Sequence, residues 1–160
     1  MKTMDPTPLT LIQQSRLDNL VNSGKLHQVP IDYSKAKRFI EQATQSLMEL
    51  PSIRTNQLRY DGGYNAAHDI GEAILAAYGF RTANGSGQHV SLGEAMTIIF
   101  DGTAANDAAE EFESLRKVRN QSRYFASPIG NSQADQAIIC ASELLAQVQK
   151  SLNYRNHEID

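Results

Sequence analysis

Cysteine is all but missing from this 160-residue chain. Cys140 stands alone, so no intrachain disulfide can form, and its place between Ile139 and Ala141 in an apolar helical stretch marks a small core residue rather than a nucleophile. Long apolar runs are missing too. None approaches the roughly 18 residues that would span a bilayer, and Met1-Lys2-Thr3-Met4-Asp5-Pro6 lacks the charged-then-apolar order of a signal peptide. The expectation is a cytoplasmic protein with no membrane partner. An excess of positive charge is also wanting: the net charge of −3 and a pI near 5.8 leave no global footprint of nucleic-acid binding, so any such contact must be local. The Glu-x-x-His pairs that hold carboxylate-bridged metals in helical bundles do not occur. His68 and Glu72, four residues apart, read as a helix-surface pair, and no local Ser, His and Asp arrangement makes a nucleophile motif. Gly85 and Gly87 match neither a Walker loop nor a dinucleotide fingerprint, and no preceding strand is expected. Neither metal nor cofactor is therefore expected.

What the chain does have is helical periodicity. With 160 residues, 41% hydrophobic and 21% charged, it fits one ordinary globular unit able to bury a core. The first helix is expected over 8–23, with Thr7 as N-cap, Pro8 at the first position and Gly24 as the stop. Asp32 caps a second, whose Ala36, Phe39, Ile40, Ala43, Leu47 and Leu50 share one face that ends at Pro51. A third runs over 52–78 with Gly79 just past its end. Gly62-Gly63 inside it costs about 1 kcal/mol each relative to alanine, so the pair marks a close helix approach or a kink. After a flexible Gly/Ser/Asn-rich connection at 81–88, helices are expected over 89–101, 106–125 and 133–154, the last capped by Asn131 or Ser132. No strand or repeat is expected. The pattern predicts an all-α protein, an antiparallel helical bundle of four to five core helices with an extra N-terminal one. Its divisions are an N-terminal extension at 1–32, the bundle at 33–154 and a fraying tail at 155–160.

One local feature breaks the acidic background. Four of the ten residues from Leu115 to Tyr124 are cationic. At about 100° per residue, Phe112, Arg116, Arg119 and Arg123 fall within roughly 60° of one another, with Leu115 and Ser122 to one side and Asn120 and Tyr124 to the other. Arginines bordering a packed face meet their neighbour partly dehydrated, where a guanidinium needs carboxylate, phosphate or backbone carbonyl acceptors. On composition alone, a solvated helix end with cations suited to the macrodipole accounts for the same residues.

Several features then coincide in order along residues 33–153. They are an opening helix with Ala36 and Phe39, the stretch from Arg59 through Tyr60, Tyr64 and Ala67 to Glu72-Ala73-Ile74-Leu75, Tyr78-Gly79-Phe80, a glycine-containing loop with His89, and finally Leu115, Arg119, Asn120 and Tyr124. In this order the chain resembles the HEPN family, the higher eukaryotes and prokaryotes nucleotide-binding domains. The resemblance implies a bundle of four or five helices that pairs as a homodimer and brings two copies of a polar motif to the interface cleft. Many members of that family are RNA-cleaving toxins or antiviral nucleases, often partnered by a small nucleotidyltransferase acting as antitoxin.

Active members carry an Arg, often followed by a polar residue such as Asn, and then a His four to six residues on. Here Arg119 and Asn120 match, and Tyr124 stands where the histidine is expected. Metal-independent RNA cleavage wants a proton acceptor near neutral pKa, a proton donor and cations for the phosphate. A tyrosine with a reference pKa near 10 is about 0.1% ionised at pH 7, and general acid-base help contributes roughly 10² to 10⁴ in rate. The expectation is a binding and assembly module of a toxin-antitoxin or defence system, non-catalytic or weakly active towards RNA. The alternative is a metal-independent endoribonuclease toxin. The candidate catalytic residues are Arg119, Asn120 and Tyr124, and the candidate ligand-binding residues are Arg116, Arg123, Tyr60 and His89. His27 and His157 read as plain surface residues.

Overall fold

The computed structural model describes residues 4–154, and the expectation of a fraying tail at 155–160, with His157 in it, lies outside them. Among the described residues the fold is all-α, with six helices and one short two-stranded ribbon: α1 (Leu11–Asn22), β1 (Leu26–Gln28), α2 (Tyr33–Glu49), α3 (Asn56–Tyr78), β2 (Phe80–Thr82), α4 (Gln88–Ile99), α5 (Asn106–Phe125) and α6 (Asn131–Ser151).

The helix ends follow local hydrogen-bonding chemistry, which moves several of them from the expected positions. α1 starts three residues late because Thr10, not Thr7, is the N-cap. Thr10 Oγ1 accepts from the Gln13 N–H at 3.1 Å and Gln13 Oε1 accepts from the Thr10 N–H at 2.8 Å, a reciprocal cap. Thr7 is engaged elsewhere, its N–H donating to the Ser151 carbonyl and its carbonyl accepting from the Tyr78 hydroxyl. α3 begins at Asn56 rather than 52, since Leu50–Ser52 close a 3₁₀ turn in which Ser52 Oγ donates to the Glu49 carbonyl, after which Ile53 is extended. Gly79, at φ 83°, ends α3 in the expected left-handed conformation.

The ribbon was not expected. Leu26, His27 and Gln28 pair antiparallel with Thr82, Arg81 and Phe80, drawing the connection after α1 against the one after α3. Segments of three residues are too short to show alternation, and their partners lie more than fifty positions away. Their inward residues are buried, Leu26 on one strand and Phe80 and Thr82 on the other.

α3 is the axis of the molecule. It packs most extensively against α2 and α6, and its buried face also meets α4 and α5. The glycine pair serves a close approach: a Cβ on Gly63 would lie 2.9 Å from the backbone of Ala137 and Ile138 in α6. Tyr60, Tyr64, Phe100 and Phe112 are the largest fully buried side chains. Residues before 33 share this core, since Leu17, Leu20 and Leu26 are buried and Gln13 Nε2 donates to the carbonyls of Ile98 and Ile99 at the end of α4. No helix among the described residues is long and apolar enough to cross a membrane.

Candidate functional site

Where the loop at 83–87 enters α4, the chain passes beside the middle of α5. The two enclose a cavity of about 390 Å³ lined by Gly85, Gly87, Gln88, His89, Val90, Arg116, Arg119 and Asn120. Gly85 and Gly87 adopt φ of 114° and 87°, a backbone that L side chains rarely take, which lets the loop turn sharply into the helix. Gly87 caps α4 without a side chain, leaving the first-turn amides of Gln88, His89 and Val90 with no intrahelical acceptor.

The three arginines of α5 meet different fates. Arg116 is tied to Glu113 one turn earlier by two hydrogen bonds, Nε to Oε2 at 2.8 Å and Nη2 to Oε1 at 2.6 Å. That contact, above all, holds the Glu113 carboxyl below its usual range. Arg123 is half exposed and lies 3.9 Å from Asp61 of α3. Arg119 has no carboxylate partner among the described residues. Its guanidinium carbon sits 5.0 Å from the centroid of the Tyr64 ring, and its Nε is buried without a hydrogen-bond partner among the described residues. The ring face attracts the cation but accepts none of its donors conventionally, so the guanidinium is held by the ring while its two terminal amino groups have no acceptor among the described residues.

Tyr64 also positions the histidine. Its hydroxyl lies 2.6 Å from His89 Nδ1. Burial raises the phenol's pKa to about 12, so the phenol keeps its proton. Nδ1 is the single partner of this fully buried hydroxyl among the described residues. A buried O–H must be given an acceptor, so the phenol donates to Nδ1 and the proton of neutral His89 resides on Nε2. Nε2 has no partner among the described residues and is not buried, which leaves it as the ring nitrogen open to a guest. Burial first, then Arg119 and Arg116, lower the pKa of His89 and keep it uncharged at neutral pH. His68 lies against it in a tilted arrangement, with ring centroids 4.6 Å apart and 43° between the planes.

His68 and Glu72 do not form the surface pair expected of them. Both are largely buried, with side chains 22% and 13% exposed and 3.8 Å between Nε2 and Oε1. Burial, with His89 and Arg119 nearby, lowers the His68 pKa to about 4, and burial raises that of Glu72, so at neutral pH they are not an ion pair. Among the described residues no group of three or more His, Cys, Asp or Glu could hold a metal ion.

Of the candidate residues, the fold thus gathers Arg116, Arg119, Asn120 and His89 around one cavity. Tyr124 is not among its lining residues and is 79% exposed, as is Phe125, at the end of α5. Five residues on from Arg119, at about 100° each, it falls roughly 140° around the helix. Tyr60 does not line the cavity either: it is 1% exposed and its hydroxyl donates to the Leu115 carbonyl at 2.7 Å, so it ties α3 to α5 from within the core. Tyr64 is the site residue that no candidate set contained. Its place one turn after Tyr60 was legible, but not which of the two phenols would reach the histidine. No family model, characterised protein or solved structure matches this chain.

Proposed function

We propose that the chain is a HEPN-like binding and assembly module whose cavity takes a phosphate group of RNA, as one part of a paired toxin-antitoxin or defence system. The observation that carries this reading is Arg119, a guanidinium seated on an aromatic face at the edge of a cavity, with its donors unclaimed among the described residues. Phosphate satisfies such a planar fork better than any neutral group. Asn120 and the open first turn of α4 add donors of the kind that recognise phosphate oxygens. The resemblance of residues 33–153 to the HEPN family supplies the rest: two-fold pairing of copies and a nucleotidyltransferase-type partner.

A second reading, metal-independent endoribonuclease, draws on His89. With Tyr124 outside the cavity, His89 is the one lining side chain whose ordinary pKa suits proton transfer at neutral pH. Fluorescence anisotropy with labelled single-stranded RNA tests binding. Affinity is expected to fall steeply with salt and to drop at least tenfold in Arg119→Ala. A flat salt response with no loss in the variant would overturn the proposal. Growth arrest on induction in a bacterial host, relieved by Arg119→Ala, would favour cleavage, and harmless expression would count against it.

A further inference from the structure

The Tyr64–His89 pair narrows the class of phosphate the cavity would take, an inference that rests on the proposal that it binds phosphate at all. Its standing charge is small. Arg116 is neutralised by Glu113, leaving Arg119 as the free cation among the lining residues, with the partial positive charge of an exposed helix start beside it. This combination matches the single negative charge of an internal phosphodiester without help from His89. A phosphomonoester carries nearly two negative charges at neutral pH, its second pKa being about 6. The second charge calls for a further cation, and His89 is the lining group able to become one.

The groups facing His89 allow that change. Tyr64 and His68 approach from α3, and Arg119, Arg116 and Glu113 stand on α5. Burial, the larger cause, and the two arginines discourage protonation while the cavity holds no anion. A dianion against Arg119 offsets the arginines' field and draws a proton onto Nδ1; the Tyr64 hydroxyl then accepts there and its own proton loses its acceptor, a cost that the pairing of the charged ring with the dianion has to exceed. The cavity of about 390 Å³ lies toward the small end of the roughly 300–1,000 Å³ typical of ligand pockets, enough for a phosphate with its sugar.

We infer that the cavity bounded by Gly85–Val90 and by Arg116, Arg119 and Asn120 is a phosphomonoester site, in which His89 gains a proton as the ligand enters. The ligand is a mononucleotide or the phosphorylated end of a nucleic acid.

Isothermal titration calorimetry at pH 7.5 in buffers of differing ionisation enthalpy tests this, with adenosine 5′-monophosphate and two RNA oligonucleotides alike except for a 5′-phosphate on one. The phosphorylated oligonucleotide is expected to bind roughly tenfold more tightly than its 5′-hydroxyl counterpart, as one added charge-assisted contact gives. It is expected to take up a proton on binding, and His89→Gln is expected to abolish that uptake. Comparable binding of the mononucleotide would support a free-nucleotide ligand, and tighter binding of the oligonucleotide a nucleic-acid end. Equal affinity for the two oligonucleotides would overturn the inference while leaving the phosphate-binding proposal standing, and binding of neither would overturn both. A 5′-phosphate preference without proton uptake in the wild type, or with uptake retained in His89→Gln, would overturn the role given to His89.

Discussion

The adjacent glycines of α3 allow one substitution to be compared in two surroundings. Replacing either by alanine improves helix propensity by about 1 kcal/mol. At Gly62 the new Cβ overlaps Leu50 Cδ2, the end of a flexible side chain that can rotate aside for a modest cost. At Gly63 it would lie 2.9 Å from the Ala137 carbonyl carbon and the Ile138 nitrogen and 3.1 Å from the Ala137 Cβ, and a helix backbone cannot rotate aside. Overpacking costs about 1–3 kcal/mol, and this site belongs near the upper figure. Setting about 3 lost against about 1 gained leaves Gly63→Ala about 2 kcal/mol less stable, while Gly62→Ala stays within about 1 kcal/mol of the parent. At about 2–4 °C per kcal/mol for a chain of this size, Gly63→Ala should melt about 4–8 °C lower. Differential scanning calorimetry of the three proteins decides it. A Gly63→Ala protein melting at or above the parent temperature, or a Gly62→Ala protein losing as much, would refute the account of how α3 meets α6.

Other consequences follow from the same geometry. Tyr60→Phe removes the donor to the buried Leu115 carbonyl and should lower unfolding free energy in urea by about 1–2 kcal/mol without altering RNA binding. Arg119→Lys keeps the charge but loses the planar fork, and should bind labelled RNA several-fold more weakly than the parent although better than Arg119→Ala. His68, with a folded pKa of about 4 against 6.5 unfolded, binds fewer protons folded than unfolded, so its contribution is complete above pH 6.5 and is lost as pH falls toward 4. Asp69, raised to about 6 by burial and by Glu72, acts oppositely: its folded form binds more protons, so its burial weighs less as pH falls through 6. Urea titrations from pH 7 to 4.5 should therefore show a steeper acid loss in Asp69→Asn and a shallower one in His68→Asn, and identical profiles would contradict these assignments.

Periodicity made the helices legible because each apolar face is continuous, as in α2, where Ala36, Ile40 and Ala43 are buried along one line. It failed where a decision depended on a remote partner. Whether Thr7 or Thr10 caps α1 is decided by Ser151 and Tyr78, which claim Thr7. The β1–β2 ribbon depends on segments that meet only after α2 and α3 are in place. At the site, the clustering of cations on α5 singled out Arg119, but its lack of an acidic partner reflects the side chains brought up by α3 and α4. His68 was misplaced for the same reason: four-residue spacing pairs it with Glu72 correctly but says nothing about α4 covering that face. Tyr124 owed its candidacy to a motif count along the chain, whereas its direction around α5 carries it away from Arg119.

The segment ahead of α1 is stitched to the end of α6, with the Asp5 and Thr7 amides donating to Leu152 and Ser151 and Asn153 Nδ2 donating to the Asp5 carbonyl. From Asp5 to Asn153 the chain is thereby a nearly closed hoop. A short peptide joining these two places would add little loop-closure entropy, so the hoop should tolerate being cut elsewhere, for instance in the exposed turn at Asp101–Gly102 on the far side of α4 from the cavity loop.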